Sequence, residues 1–550
     1  MRGDSMSHLS NLSLLWHTVR HLKPVQVYGR AMHRLKHPVP NTSAPPALRM
    51  GVGTWVPPAA REPSMVGRTR LRLLAVERDL ASSGWDDPNV PLLWRYNLHY
   101  FDDLCASGCA DRSEWHAALL RRWVQENAPG VGTGWDPYPT SLRIVNWIKW
   151  AWAGNELPPE FVPSLAVQAR WLVDRMEWHL LGNHLFVNAK ALVFAGLFFE
   201  GPEAERWLAV GGRVLLREIP EQVLADGGHF ERSPMYHALA LEDMLDLLNS
   251  IRRAAEPSPI RELQSMVSSR IQRMRSFLEI MCHPDGEIAF FNDAAMGVHP
   301  SPSELDGYAR RLGLPDCLRS HDPILLLAET GYVRATSGDA VAIMDVGPIG
   351  PDYLPGHAHA DSLSFELSIR GNRVLVNSGT SEYGIGAERL RQRGTAAHNT
   401  LVIEGQDSSE VWSGFRVARR ARPFGLSCRS VGGTAIVECS HVVYRRLRRG
   451  LDHGRRWTLG PHSLEVDDRT TSPARLDAML HWFPDFAVSQ LGPCEHAAKG
   501  HGMSLVLRAP GTELAACPFS WHPRFGLSVP STVSVASVRG QHLTTLMEWD

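Results

Sequence analysis

The apolar residues of the first part of the chain recur at helical spacing, from about residue 60 to residue 325. Leu165, Trp171 and Met176 mark one face of a helix, whereas the stretch from Leu192 to Phe199 is apolar nearly all round, as in a buried inner helix. Further helices are predicted in DRSEWHAALLRRWVQEN, EAERWLAVGGRVLLREI, HALALEDMLDLLNSIRRA and IRELQSMVSSRIQRMRSFLEIMC. Short turns rich in Pro and Gly separate them. Consecutive helical hairpins that share an apolar inner layer predict an (α/α) toroid or partial barrel over residues 61–330.

Beyond residue 330 the apolar and polar residues alternate, which is the pattern of β-strands with one buried face. Strands are predicted in DAVAIMDVG, HNTLVIEG, GTAIVECSHVVYRRL, RRWTLGPHSLEVDD, MSLVLRAPG and STVSVASVRG. In SLSFELSIRGNRVLV, Gly371 and Asn372 are predicted to form a two-residue hairpin turn. Short turns between these strands predict an antiparallel β-sandwich over residues 331–550.

The first 60 residues form a third region with a basic character. Residues 1–50 hold seven Lys and Arg against one acid, Asp4, and include the stretch HPVPNTSAPPALRM. The composition predicts a loosely docked basic arm. A second basic run, from Arg416 to Arg456, holds eleven Arg against Glu438 and Asp452.

Composition restricts the class of protein. A chain of 550 residues is too long for one ordinary core, and 44% hydrophobic with 21% charged residues is typical of a globular protein. A net charge of −1 argues against a nucleic-acid partner, because such binders usually carry a clear basic excess. The eight cysteines show neither zinc-knuckle nor disulfide-framework spacing.

Location can also be addressed from the sequence. The start MRGDSMSHLSNLSLLWHTVRHLKPV lacks a continuous apolar core and a small-residue cleavage site, so it is a poor signal peptide. No run of about 18 apolar residues occurs, which argues against a transmembrane helix. A cytoplasmic location is therefore expected, unless the true start lies upstream or another export route applies.

Three polar clusters stand out against this background. They are Asn183, His184 and Asn188; then His229, Glu231, Arg232, Tyr236 and His237; and finally the strand entrance His357, His359 and Asp361, followed by His398 and Asn399. If the entrance is already extended, its three residues share one face, with neighbours roughly 7 Å apart. Each cluster alone also has a structural explanation: Asn183 could cap a helix, Tyr236 could be a half-buried core tyrosine, and His398 could bind a strand end.

Six stretches in the same order resemble the heparinase II/III-like polysaccharide lyases, from roughly residue 90 to residue 470. They are WRYNLHYFDDL, GWDPYPTSLRIVNWIKW, GNHLFVNAKALVFAGLFF, DGGHFERSPMYH, GHAHADSLSFEL and RGTAAHNTLVIEGQDSSEVWSGF. The resemblance implies a helical toroid followed by an antiparallel β-sandwich, with the substrate cleft between them. It also implies cleavage of uronic-acid-containing polysaccharides by β-elimination, and a periplasmic location as the alternative to the cytoplasm. The leading hypothesis is a lyase of such an anionic glycan, linked to the cell's own capsule or exopolysaccharide metabolism.

The resemblance assigns roles that the chemistry explains. Removal of the proton at carbon 5 of a uronate puts charge on its carboxylate, which neutral or positive donors must stabilise; Asn183 and His184 match that position. Tyr236 matches the family's tyrosine, the usual acid and sometimes also the base, and His357 matches its second acid/base group. Arg232 would help Tyr236 act as a base if it lowers the tyrosine pKa.

Substrate contacts and a metal complete the expected site. Trp135, His229, Glu231 and Arg232 lie in the resembling stretches and are predicted to contact the anionic polysaccharide. In several relatives a structural zinc near the cleft is held by residues that match His359, Asn377 and His398. Asn377 departs from that pattern, because a neutral amide is a weak zinc ligand; the zinc is therefore expected to be absent, weakly held or completed by Asp361.

Two other functions compete with a lyase. One is a glycan-binding or assembly protein that keeps the cleft without turnover. The other is a zinc hydrolase, which is disfavoured because no HExxH motif or other complete ligand set occurs.

Overall fold

The computed structural model describes residues 12–51, 53–254, 260–317, 320–447 and 450–550. The longer helices of this part are α1 (residues 12–19), α2 (Pro24–Leu35), α3 (Leu80–Ser83), α4 (Leu92–Leu98), α5 (Ser113–Glu126), α6 (Pro137–Trp152), α7 (Phe161–Arg175), α8 (Gly182–Phe198), α9 (Pro202–Gln222), α10 (Pro234–Arg253), α11 (Arg261–Ile280), α12 (Pro302–Arg311) and α13 (Ala387–Arg393). Successive helices pack side by side, α6 on α7, α8 on α9 and α10 on α11. This confirms the predicted helical part.

The strands of the described residues are β1 (Arg70–Leu73), β2 (Val76–Asp79), β3 (Ile324–Leu327), β4 (Tyr332–Ser337), β5 (Ala340–Asp345), β6 (Phe365–Ile369), β7 (Asn372–Leu375), β8 (Leu401–Ile403), β9 (Val411–Trp412), β10 (Arg416–Val417), β11 (Pro423–Val431), β12 (Thr434–His441), β13 (His453–Leu459), β14 (Ser463–His481), β15 (Ala487–Gly492), β16 (Glu495–Gly500), β17 (Met503–Arg508), β18 (Glu513–Trp521) and β19 (Val529–Trp549). One antiparallel sheet has the order β3-β4-β5-β6-β7. A larger one runs β11-β12-β13-β14-β19-β17-β16-β15, with β8 on β14 and β18 on β19. The inner faces of the two sheets share an apolar core, so the sandwich is also confirmed.

The change from helices to strands falls between Arg311 and Ile324, close to the predicted boundary at residue 330. The two parts nevertheless share one core. Phe290 from the helical side stacks on Trp521 of the sandwich, with ring centroids 5.8 Å apart. Because apolar packing continues across the junction, the two walls of the cleft are held in fixed relation to each other.

Strand β6, in the stretch SLSFELSIRGNRVLV, alternates apolar and polar residues, but both of its faces are buried. The polar face meets the helical part instead of solvent: His283 lies 2.7 Å from Ser368 Oγ and 2.9 Å from Glu366 Oε2. The hairpin prediction was wrong by one residue. Arg370 and Gly371 have φ of +50° and +83° and form the turn, as a type I′ hairpin requires, and Asn372 already begins β7.

The arm is docked more firmly than its composition suggested. The Arg170 guanidinium donates to the carbonyl oxygens of Asn41, Ser43 and Ala44, at 2.8 to 3.3 Å. Arg49 in turn donates to the carbonyl of Phe199 at 3.1 Å. Charge-assisted bonds to backbone oxygens replace the apolar contacts that the proline-rich stretch lacks, and the prediction of a loosely docked arm was wrong for this segment.

Candidate active site

Tyr236 is fixed by the first turn of α10. The Ser233 hydroxyl caps the helix by accepting a hydrogen bond from the Tyr236 N–H at 3.1 Å, and the same hydroxyl donates to the carbonyl of Asp293. Arg232, just before the cap, is in the left-handed region with φ of +57°. The cap thus ties the start of α10 to the loop that carries Asp293. The Tyr236 oxygen lies 3.0 Å from the oxygen of Tyr383, which comes from the sandwich part.

The Asp293 carboxylate is the centre of a buried polar cluster. It lies 2.8 Å from Nδ1 of His357 and 2.8 Å from Nε2 of His359. It also accepts both Nη hydrogen bonds of Arg389, from α13. Burial alone would raise the pKa of Asp293, but the Arg389 guanidinium and the bonds to the two histidines hold it well below its usual value. A fixed negative charge therefore stands behind His357.

His357 presents its other ring nitrogen to the cleft. Its ring packs on the ring of Tyr236 with centroids 4.0 Å apart, and its side chain is 18% exposed. Nε2 lies 3.8 Å from Oε2 of Glu231. Because Asp293 occupies Nδ1, the proton on that atom is held there and Nε2 is the atom free to exchange a proton with substrate. The structure thus brings the predicted Tyr236 and His357 into contact.

Asn183 and His184 begin α8 at a strained turn, where Leu181 has φ of +63°. Asn183 Nδ2 donates to the Tyr138 hydroxyl at 3.1 Å. His184 Nδ1 lies 3.1 Å from Oε1 of Glu177. Burial would lower the pKa of His184, but the Glu177 carboxylate raises it above its ordinary value, so the imidazole favours the positive form.

Glu231 connects the two groups of site residues. Its carboxylate accepts a hydrogen bond from the Asn183 N–H and faces His357 on the other side. Oε2 is buried and has no hydrogen-bond partner among the described residues. Burial raises the pKa of this carboxyl. Glu231 therefore lies in the site between Asn183 and His357. Its contact with the substrate stays a prediction.

The suggested role of Arg232 is not supported. Its guanidinium donates to the carbonyl oxygens of Thr330 and Glu329, at 2.8 and 3.2 Å, because the left-handed backbone turns the side chain toward the sandwich. Burial raises the pKa of Tyr236 well above its ordinary value. The phenol is thus held in its neutral form, which suits a proton donor rather than a base.

Trp135 and His229, two other residues predicted to contact the substrate, are buried in this structure. The Trp135 indole is buried against Trp123 and Trp171, with ring centroids 5.6 and 6.1 Å away, so it offers no face to a sugar. His229 is buried beside Gln222, at 3.4 Å, and burial lowers its pKa to about 3. Burial places Trp135 in the helical core and leaves His229 no exposed face, and the substrate contact of His229 stays a prediction.

The residues named for zinc do not form a complete ligand set. The ring centroids of His359 and His398 are 5.3 Å apart, and His398 has neither nitrogen hydrogen-bonded within the described chain. The Asn377 amide is already engaged: it accepts from the Asn399 N–H at 3.0 Å and donates to the Phe290 carbonyl at 2.9 Å.

The remaining candidate ligand is also engaged. Asp361 accepts from the Asn292 N–H at 2.8 Å. Over the residues that the structure describes, no group of three or more His, Cys, Asp or Glu could hold a metal ion. Two imidazoles do not satisfy a tetrahedral zinc, so these residues do not fit the ion.

Several arginines of the basic run from Arg416 to Arg456 form ion pairs with acids. Arg420 and Arg422 both bind Asp352, at 2.8 and 2.7 Å. Arg429 and Arg456 both bind Glu438, at 3.0 Å. Arg448 and Arg449 lie outside the described residues. Two arginines share each of these acids, so the run keeps a net positive charge although its members are ion-paired.

Several residues of the site were missed by the sequence reasoning. They are Tyr138, Glu177, Asp293, Tyr383 and Arg389. Asp293 follows the apolar run IAFF and Asn292. A charged residue directly after a buried run is unusual, and it could have indicated a functional residue. The others carry no local signal, because they join the site only through tertiary contacts.

Comparison with known proteins decides the family. The model of the heparinase II/III N-terminus matches residues 119–308, and that of the heparinase II/III-like C-terminal region matches residues 321–550. The chain belongs to the heparinase II/III-like family. The solved structure of heparinase III has a TM-score of 0.66 at 17% identity, covering 85% of this chain and 79% of that one. The solved structure of a heparan sulfate lyase from Pedobacter heparinus has a TM-score of 0.58 at 19% identity, covering 96% of this chain and 87% of that one.

Curated relatives point in two directions. FtsZ-localized protein C of Caulobacter vibrioides is 26% identical over 88% of this chain and 84% of its own length. The heparin-sulfate lyase of Pedobacter heparinus is 28% identical over 52% of this chain, which spans 47% of that enzyme. The match to the lyase thus covers about half of each protein. Among the described helices, none is long and apolar enough to span a bilayer.

Proposed function

We propose that this family member is a polysaccharide lyase that cleaves a uronic-acid-containing anionic polysaccharide by β-elimination. The observation that carries the proposal is the contact of Tyr236 with both His357 and Tyr383, backed by the buried Asp293 carboxylate. A neutral phenol beside a directed imidazole supplies an acid and a base within one short distance. A capsule or exopolysaccharide of the producing cell is the substrate class we propose.

The first chemical requirement is a place for charge on the uronate carboxylate. His184, favoured in its positive form by Glu177, and the half-buried Asn183 amide supply donors from the helical wall. Such donors stabilise the carbanion formed at carbon 5 more than the ground state, because the negative charge grows on the carboxylate as the proton leaves.

Proton transfer is divided between the two stacked rings. His357 Nε2 removes the proton from carbon 5, while Asp293 keeps Nδ1 protonated and stabilises the imidazolium. The electron pair forms the double bond between carbons 4 and 5, and the bond from carbon 4 to the glycosidic oxygen breaks. Tyr236 gives its proton to that oxygen. Tyr383, 3.0 Å away, can hydrogen-bond the phenolate that results.

The experiment is to follow the ultraviolet absorbance of the unsaturated product over a panel of uronate polymers, with heparan sulfate, chondroitin sulfate, hyaluronan and alginate as members. We expect absorbance to rise with at least one polymer and not with the Tyr236→Phe protein. Chain-length analysis of the same reactions separates endo from exo cleavage. A polymer that is shortened without absorbance change would indicate hydrolysis and contradict the proposal.

A second candidate is a glycan-binding or assembly protein of the same fold that has no turnover. The observation in its favour is the alignment with FtsZ-localized protein C over most of this chain, since that relative is named for where it localizes and not for an enzyme activity. Binding of a uronate polymer without any absorbance change, unaltered by Tyr236→Phe, would favour this candidate.

A further inference from the structure

The first two helices of the described chain, α1 and α2, pack on the protein with their apolar faces toward solvent. In α1, Leu12, Leu15, Trp16 and Val19 follow the spacing of one helix face, and all four are exposed, Trp16 by 65%. In a helix that stabilises a globular core such a stripe faces inward. Burial of the α1 stripe is therefore left to something outside the described chain.

The opposite face of α1 holds the helix to the protein through polar side chains. The Thr18 hydroxyl accepts from the Trp412 indole N–H at 3.0 Å, and the Ser13 hydroxyl accepts from Arg419 at 3.1 Å. These contacts leave no freedom for the helix to roll its apolar stripe inward while they persist. The exposure is thus a consequence of how α1 is attached.

Helix α2 repeats the arrangement. Val27, Tyr28, Met32 and Leu35 are all exposed, Leu35 by 74%. The attached side carries Gln26, which donates to the Tyr353 carbonyl at 3.1 Å, and Gly29, where an added Cβ would come within 3.3 Å of the His179 backbone. Both helices thus bind the protein through their polar side and expose their apolar side. Because the pattern occurs in two successive helices, chance exposure of single residues does not explain it.

The charge of the two helices indicates an anionic partner. Residues 12–36 contain five Lys and Arg and no Asp or Glu. Arg30 and Arg34 are exposed, flank the apolar stripe of α2 and form no ion pair within the described chain. An apolar stripe containing Trp and Tyr, with arginines at its border, is the composition of helices that lie in the interface of an anionic bilayer.

We propose that α1 and α2 together form a docking surface for an anionic lipid bilayer. The apolar stripe enters the boundary between headgroups and acyl chains, and Arg20, Arg30, Arg34 and Lys36 bind the phosphates. Helices that lie in the interface bind a bilayer peripherally, by burying their apolar face at the depth of the headgroups. It would bring the cleft to polymers at a membrane surface.

The test is co-sedimentation of the full chain with vesicles of phosphatidylcholine alone and vesicles of equal parts phosphatidylcholine and phosphatidylglycerol. We expect binding to the anionic vesicles only, falling as salt rises. Arg30→Gln with Arg34→Gln should weaken partitioning about thirtyfold, since each basic residue near such a surface contributes about fivefold. Trp16→Ser should weaken it roughly tenfold or more.

Matched controls are available on other surfaces. Arg206 and Arg213 lie exposed on α9, and Leu491 is an exposed apolar residue of β15. Arg206→Gln with Arg213→Gln and Leu491→Ser should sediment like the wild type. All the changed residues lie at the surface, so circular dichroism and melting temperature should be the same in every variant as in the wild type.

Three results would overturn the proposal. They are equal binding to both vesicle types, equal loss in the controls, and no vesicle binding at all. Light scattering distinguishes the occupant in the last case: a lipid-free dimer that Trp16→Ser dissociates would assign the surface to a second copy of this chain. These outcomes do not depend on lyase activity, which is measured on soluble polymer.

Discussion

The Nδ1 atom of His357 lies 2.8 Å from Oδ2 of Asp293, and the same carboxylate lies 2.8 Å from Nε2 of His359. One buried acid thus orients both histidines of the strand entrance. It directs His357 toward the cleft and keeps His359 within the sandwich. The repeated His pattern therefore has two different roles, of which only the first touches the proposed chemistry.

Tyr236→Phe should abolish elimination while leaving the fold intact. The change removes one hydroxyl and keeps the ring packing on His357. Loss of a general acid typically lowers the rate roughly 10²–10⁴-fold. Initial rates of absorbance increase measure this directly. Tyr444→Phe is the control, because that phenol is also buried but binds only backbone carbonyls in the sandwich. Full activity of the Tyr236→Phe protein would refute the assigned role.

Asp293→Asn should destabilise the protein by about 3–5 kcal/mol, since it leaves the Arg389 charge buried without its counterion. Chemical denaturation measures the loss. The double variant with Arg389→Met should be less destabilised than the single one. The Arg389→Met single variant completes the cycle: if the loss in the double variant equals the sum of the two single losses, the pair is not energetically coupled.

The same carboxylate predicts a pH dependence. The pKa of Asp293 is lowered on folding, so the native state holds the charged form more tightly than the unfolded state. Its stabilising contribution is fully present above about pH 4, the unfolded value, and is lost as pH falls toward the native pKa. Unfolding free energy measured below pH 4 should therefore fall less steeply in Asp293→Asn than in the wild type.

Glu177→Gln should move the alkaline limb of the kcat/KM profile to lower pH. The Glu177 carboxylate raises the pKa of His184, so its loss makes the imidazole lose its proton earlier as pH rises. Activity at acid pH should fall less than activity at alkaline pH. Glu218→Gln is a control, because Glu218 is buried but pairs with Arg217 and Gln222. An unchanged profile would mean that charge on His184 is unimportant for catalysis.

Trp135→Ala should lower stability by about 3–5 kcal/mol through loss of buried aromatic packing. KM measured well below the melting temperature should stay near the wild-type value, because the indole has no exposed face. Thermal melts and steady-state kinetics separate the two effects. A large rise in KM with unchanged melting temperature would restore the substrate-contact interpretation.

Removal of metal should have little effect. With the Asn377 amide engaged by backbone groups, His359 and His398 provide two imidazoles and no third ligand. Dialysis against a chelator should leave melting temperature and turnover unchanged, and elemental analysis should find less than one zinc per chain. A melting temperature that drops on chelation and recovers with zinc would contradict this expectation.

The order of helices and strands was determined by local pattern. Helical spacing up to α12 and alternation from β3 onward were readable because each element must present an apolar face at its own period. The resemblance placed Asn183, His184, Tyr236 and His357 in one site. In the structure Glu231 joins Asn183 to His357, and His357 packs on Tyr236. Local pattern could not show that the polar face of β6 packs on the helical part. A strand alternates apolar and polar residues in the same way whether its polar face contacts solvent or a polar surface of the protein.

Tertiary structure decided which polar residues meet. Asp293 comes from the loop between α11 and α12, whereas Tyr383 and Arg389 come from α13 and the segment that leads into it, and no spacing along the chain reports that these two segments meet. It also decided that Trp135 lies in the core and that Arg232 faces backbone carbonyls, although both neighbour site motifs in the sequence. A motif specifies which groups are near along the chain, whereas the direction of each side chain depends on backbone angles and on the partners that packing supplies.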